Sequence, residues 1–469
     1  MAIVWNAIET FGKQIITLSI TIILARLLHP EDFGLIGMIT VFVMIANVVV
    51  DGGLVGALVY KKTVDEEDYD TVFYINLASS GVLYGLLYLL SGPIADFYGQ
   101  PKLALLLKWL SVSMVLGSLS IVHYAMYYRK MDFKPIAKVG LLAQTFSGAI
   151  AIVVAYLGGG VWALVVQHLL LGLLTAVFFW STNPWRPKVR LSKKSFRSLF
   201  GYGTPLMFTF IMQQVFDNLY YVVIGKFYNP LQLGYYLQAN KIQRIPALKI
   251  QEVIKKATFP EFTRIAGDTE KTVTYFKALF KNTMALNFPV LIALSLFSDS
   301  LVPMLLTDKW TPIVPYIQLL CMASLFLPFY SLCSNIVLGM GRPLLNFRIE
   351  AIKNMFIVAS VLVSIQWGII GLVVGQIVCS FVFVFIHLYF VKSLLPINVS
   401  QFLLPMLQYL GIAFFPYVLV KWAMGNYSMQ PFWNLSIYGS AYFLIYIGLL
   451  FLLNMKEATT LKKLMNVKL

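Results

Sequence analysis

The chain has 469 residues, of which 59% are hydrophobic and only 12% charged, a balance that excludes an ordinary water-soluble enzyme or binding module. At roughly 20 apolar residues per spanning helix there is room for about 14 spans and for no sizeable soluble domain. The net charge of +16 would point to nucleic acid in a soluble protein, but membrane proteins gather Lys and Arg in cytoplasmic connections, so the distribution decides.

Apolar runs at 2–27, 34–60, 72–91, 103–126, 136–156 and 160–180 predict six helices, punctuated by Pro, Gly and charge. The first run is too long for a signal-peptide core and lacks a small-residue cleavage pattern, so this helix is expected to remain attached. A basic stretch from Trp185 to Arg197 follows, then six more runs near 201–225, 232–256, 277–306, 312–338, 344–366 and 368–391. Two last runs, 402–421 and 434–454, lead into a basic tail from Lys456 to Leu469. The expected organisation is an N-terminal six-helix lobe (1–184), a basic cytoplasmic connection (185–200), a second six-helix lobe (201–392), and two extra helices with a basic tail (393–469). Cys321, Cys333 and Cys379 lie in apolar runs without metal or redox spacing and read as small buried side chains.

Basic residues fall on one side of this plan. Connections and helix ends assigned inside carry Lys61 and Lys62, then Arg129, Lys130, Lys134 and Lys138, then six between Arg186 and Arg197. Six more lie between Lys255 and Lys281; Arg342, Arg348, Lys353 and Lys392 follow, and the tail adds four. The opposite connections hold only Arg26, Lys102, Lys226, Lys309 and Lys421. Both termini are therefore expected in the cytoplasm. Charge that marks one membrane face is not a nucleic-acid groove, so no nucleic acid is expected as a partner.

Ile23 to Gly34 resembles Val223 to Gly234 at an offset of 200, with Pro30 matching Pro230, Gly34 matching Gly234 and Arg26 matching Lys226. Gly160 to Val166 resembles Gly368 to Val374 at an offset of 208. A duplicated six-helix unit follows. Six is even, so the copies enter from the same side and are expected to be related by a pseudo-two-fold along the membrane normal, with substrate between them, as in a rocking transporter.

The stretches Ala25 to Gly34, Asp65 to Tyr74, Gly160 to Leu164, Ile224 to Pro230 and Leu233 to Tyr236 together resemble the polysaccharide-transport family of the multidrug/oligosaccharidyl-lipid/polysaccharide flippase superfamily. The resemblance runs over essentially the whole chain, departing at a short N-terminus that lacks a basic lead. It implies an all-α polytopic fold of about 14 transmembrane helices, two six-helix lobes plus two C-terminal helices, in a bacterial inner membrane. The implied activity is flipping of a polyprenyl-pyrophosphate-linked oligosaccharide, with membrane lipids, a glycan polymerase and glycosyltransferases of the same pathway as partners. A multidrug exporter of the superfamily would favour acidic cation sites and 12 helices; a membrane glycan polymerase or ligase would carry a large extracytoplasmic loop. The cationic eighth helix and the extra pair of helices argue against the exporter, and the short outer connections against the polymerase or ligase. No phosphate-binding loop of an ATPase is present, and no cofactor is expected.

The eighth helix places Gln238, Lys241, Arg244, Lys249 and Glu252 within an arc of about 140°. Arg244 falls roughly 18 Å from the outer end, near the middle of an apolar core about 30 Å thick, where a charge needs water, a partner or an anion. At the positions of Lys241 and Arg244 the first repeat has Val41 and Met44, which favours substrate binding over a role in the fold. A solubilising pair in a wet vestibule fits Lys249 and Glu252, candidates for substrate binding and for coupling or ion pairing, better than it fits Lys241 and Arg244. Glu9 and Lys13, four apart in helix 1, permit either substrate contact or a mutual ion pair. Asp51 reads as an interfacial or helix-ending residue, and Asp217 as an ion-pair partner or a coupling-cation ligand. The four histidines, His29, His123, His168 and His387, have no ligand spacing, and no metal is predicted.

Overall fold

The computed structural model describes residues 2–265, 267–426, 430–453 and 455, with side chains omitted at 2–4, 7 and 426; the basic tail from Lys456 lies outside the described residues. Among the described residues there is no strand. The helices are α1 (Ala2–Leu27), α2 (Pro30–Asp51), α3 (Leu54–Tyr60), α4 (Glu66–Tyr98), α5 (Lys102–Arg129), α6 (Phe133–Tyr156), α7 (Trp162–Thr182), α8 (Lys193–Asp217) and α9 (Leu219–Phe227). They continue as α10 (Pro230–Ile265), α11 (Thr269–Leu306), α12 (Val314–Ala323), α13 (Leu327–Gly339), α14 (Pro343–Ser364), α15 (Gly368–Lys392), α16 (Ser400–Asn426), α17 (Pro431–Trp433) and α18 (Gly439–Leu452). Joined across short breaks (α2–α3, α8–α9, α12–α13, α17–α18), the described helices make fourteen rods.

Eleven described stretches are long and apolar enough to cross a membrane, and one of them, Pro343–Lys392, holds both α14 and α15. The rods α8–α9 and α10 are more polar and fall outside that set. The chain is a multi-pass membrane protein. Several helices begin earlier or end later than the apolar runs suggest, because polar residues cap and extend them beyond the hydrocarbon. The Ser192 hydroxyl accepts the Ser195 N–H at 3.3 Å, so α8 starts inside the basic stretch. Asp268 accepts the Lys271 N–H at 3.0 Å and starts α11. With 36 residues in α10 and 38 in α11, both rods are about 55 Å long, well beyond an apolar core of about 30 Å.

Two compact units form, Met1–Leu237 and Gln238–Leu469. In the first, α4 packs on α5, α5 on α7, α7 on α6 and α6 on α1, and α2 packs against α4, α5, α8 and α9. Glycines permit the closest approaches. A Cβ on Gly34 would lie 1.7 Å from the Pro230 carbonyl oxygen, and one on Gly234 1.9 Å from the Pro30 oxygen. The turns of the sequence repeat therefore cross reciprocally, backbone on backbone, at a distance that only glycine allows. At the other end of the rod, α2 breaks at Gly52 and Gly53, with φ of 56° and 70°, and Gly53 and Gly203 meet the same way, with an added Cβ 2.4 Å from the Gly203 oxygen. The second matched pair, Gly160 and Gly368, also shares a positive φ, 52° and 75°, just ahead of or at a helix start.

In the second unit α11 is the central rod, in contact with α12, α13, α16 and α18, while α15 packs on α12, α13 and α14. Phe276, Phe280, Phe329 and Phe402 form its aromatic centre, with Phe280 and Phe402 ring centroids 5.0 Å apart and nearly perpendicular. Tyr446 ties α18 to α11 by donating its hydroxyl to the Ala285 carbonyl at 2.8 Å.

Candidate functional site

The polar rod α10 starts where Asn229 accepts the Gln232 N–H at 2.8 Å, with Pro230 at its first position. Its later half is held by α13: Gln251 donates to the Ser331 hydroxyl at 2.7 Å, and the buried Asn335 amide donates to the Lys255 carbonyl at 3.0 Å and the Thr258 hydroxyl at 2.7 Å. Near the middle Pro246 lacks the N–H that would reach the 242 carbonyl, so the backbone itself adds an acceptor beside the charged stretch.

The candidate residues on this rod separate into two kinds. Lys249 and Glu252 neutralise one another at 3.3 Å, and Glu252 also receives Lys256 at 2.6 Å. Arg244 is half-buried and makes no ion pair or hydrogen bond among the described residues; Lys241, one turn earlier on the same face, is exposed. Arg244 is fourteen residues past Pro230, about 21 Å along the helix. A guanidinium so placed keeps its donors available to an anion, and a bidentate oxyanion such as a phosphate matches their fork.

Two glutamines add to the face and its flank. Gln238 is buried with its Nε2 unpartnered, and Gln243 is buried with both amide atoms unpartnered among the described residues. Gln243 lies about 100° round the helix from Arg244, so amphipathic patterning does not reveal it; only burial without a partner does.

The remaining candidates lie in the first unit. Glu9 and Lys13 of α1 form an ion pair at 2.7 Å, and the Lys13 stem crosses Gly140 of α6, where an added Cβ would sit 2.0 Å from Cε. Asp51 ends α2; its carboxylate faces the N–H groups of Gly53 and Val55 at the break, and its Oδ1 is buried without a partner. Asp217 is the exposed last residue of α8 and makes no ion pair among the described residues. Among those residues no group of three or more His, Cys, Asp or Glu side chains is close enough to share a metal ion.

The profile of the polysaccharide biosynthesis protein family matches residues 23–315, which include the repeated turns and all of α10. The chain belongs to this family. Among relatives of this chain, the lipopolysaccharide biosynthesis protein WzxC of Escherichia coli (strain K12) is 24% identical over 431 residues, 90% of this chain and 86% of that protein. The teichuronic acid biosynthesis protein TuaB of Bacillus subtilis (strain 168) is 24% identical over 366 residues, 78% of this chain and 76% of its own length. In fold, the chain is similar to the lipid II flippase MurJ in an inward closed conformation, with a TM-score of 0.74 and 17% identity over 95% of this chain and 97% of that one. An inward-facing multidrug resistance transporter of the MATE family gives a TM-score of 0.63 at 16% identity, over 84% and 99% of the two chains.

Proposed function

We propose that this protein is a flippase that carries polyprenyl-pyrophosphate-linked oligosaccharides across a bacterial cytoplasmic membrane by alternating access, with both termini in the cytoplasm. The observation that carries the reading is Arg244, half-buried and unpaired on α10 of a membrane protein of the polysaccharide biosynthesis family. Charge at membrane depth is costly unless it is paired or bound, and a pyrophosphate offers the anion it needs. Lys241 adds a second cation, whereas Lys249 and Glu252 serve each other. Relatives named for lipopolysaccharide and teichuronic acid biosynthesis support a glycan cargo. The protein transports rather than transforms its substrate, receiving it from glycosyltransferases and releasing it to a polymerase.

Export of cationic drugs is disfavoured by the same face, since Arg244 and Lys241 would repel such cargo. Depletion of the protein followed by leaflet-resolved assay of lipid-linked sugars tests the reading. Inner-leaflet accumulation is expected, and an unchanged distribution refutes it. Arg244→Ala should abolish transport with normal insertion, and Arg244→Lys should recover only part, because Lys supplies charge without the bidentate fork. Full transport by well-expressed Arg244→Ala would remove this residue from the mechanism.

A further inference from the structure

The first unit contains a cavity of about 450 Å³ lined by Val55, Gly56, Val59 and Tyr60 of α3, Tyr124 and Tyr128 of α5, and Tyr202 of α8. Its size falls among small-molecule sites, roughly 300–1,000 Å³. Four of its seven lining residues are tyrosines. Tyr60 and Tyr202 stack with centroids 4.4 Å apart and planes 9° apart, and Tyr124 and Tyr128 stack at 5.8 Å and 27°. Tyrosines at the end of a membrane helix often form an interfacial belt, but a belt does not require three rods to converge on one hollow with ring planes fixed in pairs.

We propose that this cavity binds a neutral sugar ring of the lipid-linked glycan. The proposal rests on the flippase reading and adds a glycan subsite to it. Three features select an uncharged polyhydroxylated ring. The ring faces carry negative quadrupole potential, which suits the C–H face of a pyranose, while the phenol groups can exchange hydrogen bonds with its hydroxyls.

Arg129 and Lys61, the cations bonded at this end of α5 and α3, are already engaged and offer no free donors to a phosphate. Arg129 donates to the Leu58 and Lys61 carbonyls at 2.6 and 2.5 Å and to the Lys62 carbonyl at 2.6 Å, and Lys61 is bound by Asp68 at 2.7 Å. Those bonds also lock the end of α3 to the end of α5 and so hold Tyr60 opposite Tyr124 and Tyr128. Finally, the Glu9 carboxylate, which lies near enough to Tyr124 to act on it electrostatically, is paired with Lys13 at 2.7 Å, so the charges on that side of the hollow also offset each other. The site belongs to the rod ends that carry Lys61, Lys62, Arg129 and Lys130, the face assigned to the cytoplasm by the distribution of charge.

The test uses full-length protein in phosphatidylethanolamine–phosphatidylglycerol liposomes and the lipid-linked oligosaccharide pool extracted from flippase-depleted cells. Tyr60→Ala/Tyr202→Ala should raise the half-saturating concentration about tenfold, equivalent to about 1.4 kcal/mol, with maximal rate within about twofold. Tyr60→Phe/Tyr202→Phe should stay within about threefold, since the ring faces remain. Gly56→Phe fills the hollow without removing a tyrosine; an added Cβ there meets only Leu206 Cδ1, at 3.5 Å. It should match the double alanine variant and keeps the test decisive if that variant folds poorly. Sugar-free polyprenyl pyrophosphate, added as a competitor, should inhibit wild type and variants equally. Unchanged half-saturation in Gly56→Phe, or an equal loss of affinity for the sugar-free lipid, overturns the sugar subsite. Failure of the wild-type protein to move any of the pool instead overturns the flippase reading.

Discussion

Alanine at Gly34 and at Gly234 should be destabilising one at a time and hardly worse together. An added Cβ would lie 1.7 Å from the Pro230 oxygen in one case and 1.9 Å from the Pro30 oxygen in the other, whereas real Cβ contacts essentially never fall below 3.0 Å. Both obstacles are backbone carbonyls that cannot swing aside, so α2 and the start of α10 must separate by more than an ångström. Overpacking of this kind costs typically 1–3 kcal/mol, and a clash of backbone on backbone belongs at about 3 kcal/mol. Because one displacement relieves both clashes, the double variant should also cost about 3 kcal/mol, a coupling at the upper end of those measured for neighbouring sites. Gly37→Ala is the control: its Cβ would meet Leu237 Cδ1 at 2.1 Å, a flexible side-chain end that can rotate away, for about 1 kcal/mol or less. Denaturant unfolding of purified protein in detergent, followed across the cycle, measures all four values. Additive single-site costs, or single alanines that cost no more than the Gly37 control, would refute the reciprocal crossing.

Arg129→Ala leaves four carbonyls at and just beyond the end of α3 without their charged donor and should cost about 3 kcal/mol, read by the same unfolding assay, with partial recovery in Arg129→Lys. The hydrogen bond and charge of Lys271 hold the exposed Asp268 carboxyl below its ordinary 3.8. Its stabilising contribution is therefore complete above the unfolded-state pKa and is lost as pH falls through the folded value; Asp268→Asn should remove that component from the acid limb of a stability–pH curve, below about pH 4. Accessibility tags at Lys194 and at the C-terminus should label from the cytoplasm and a tag near Lys309 from outside; mixed labelling would defeat the topology read from charge.

What the sequence determined by itself is what depends on local pattern. Apolar runs long enough for a bilayer specify the helical rods, because an unpaired peptide group cannot remain in hydrocarbon. The similar turns around Pro30 and Pro230 are legible in the sequence, and Lys241 and Arg244 stand out because charge is rare at that depth in a helix. Hydropathy alone puts the start of α8 at 201 rather than Lys193 and the start of α11 at 277 rather than Thr269, since it registers the membrane and not the caps that carry a helix beyond it. Tertiary structure alone decided the rest. The need for glycine at 34 and 234 appears only when each meets the other turn's carbonyl. Gln243 sits off the polar face and is distinguished by burial without a partner. Tyr60, Tyr124 and Tyr202 lie far apart in the chain and become one site only where α3, α5 and α8 converge, because no local pattern encodes which rod ends will meet.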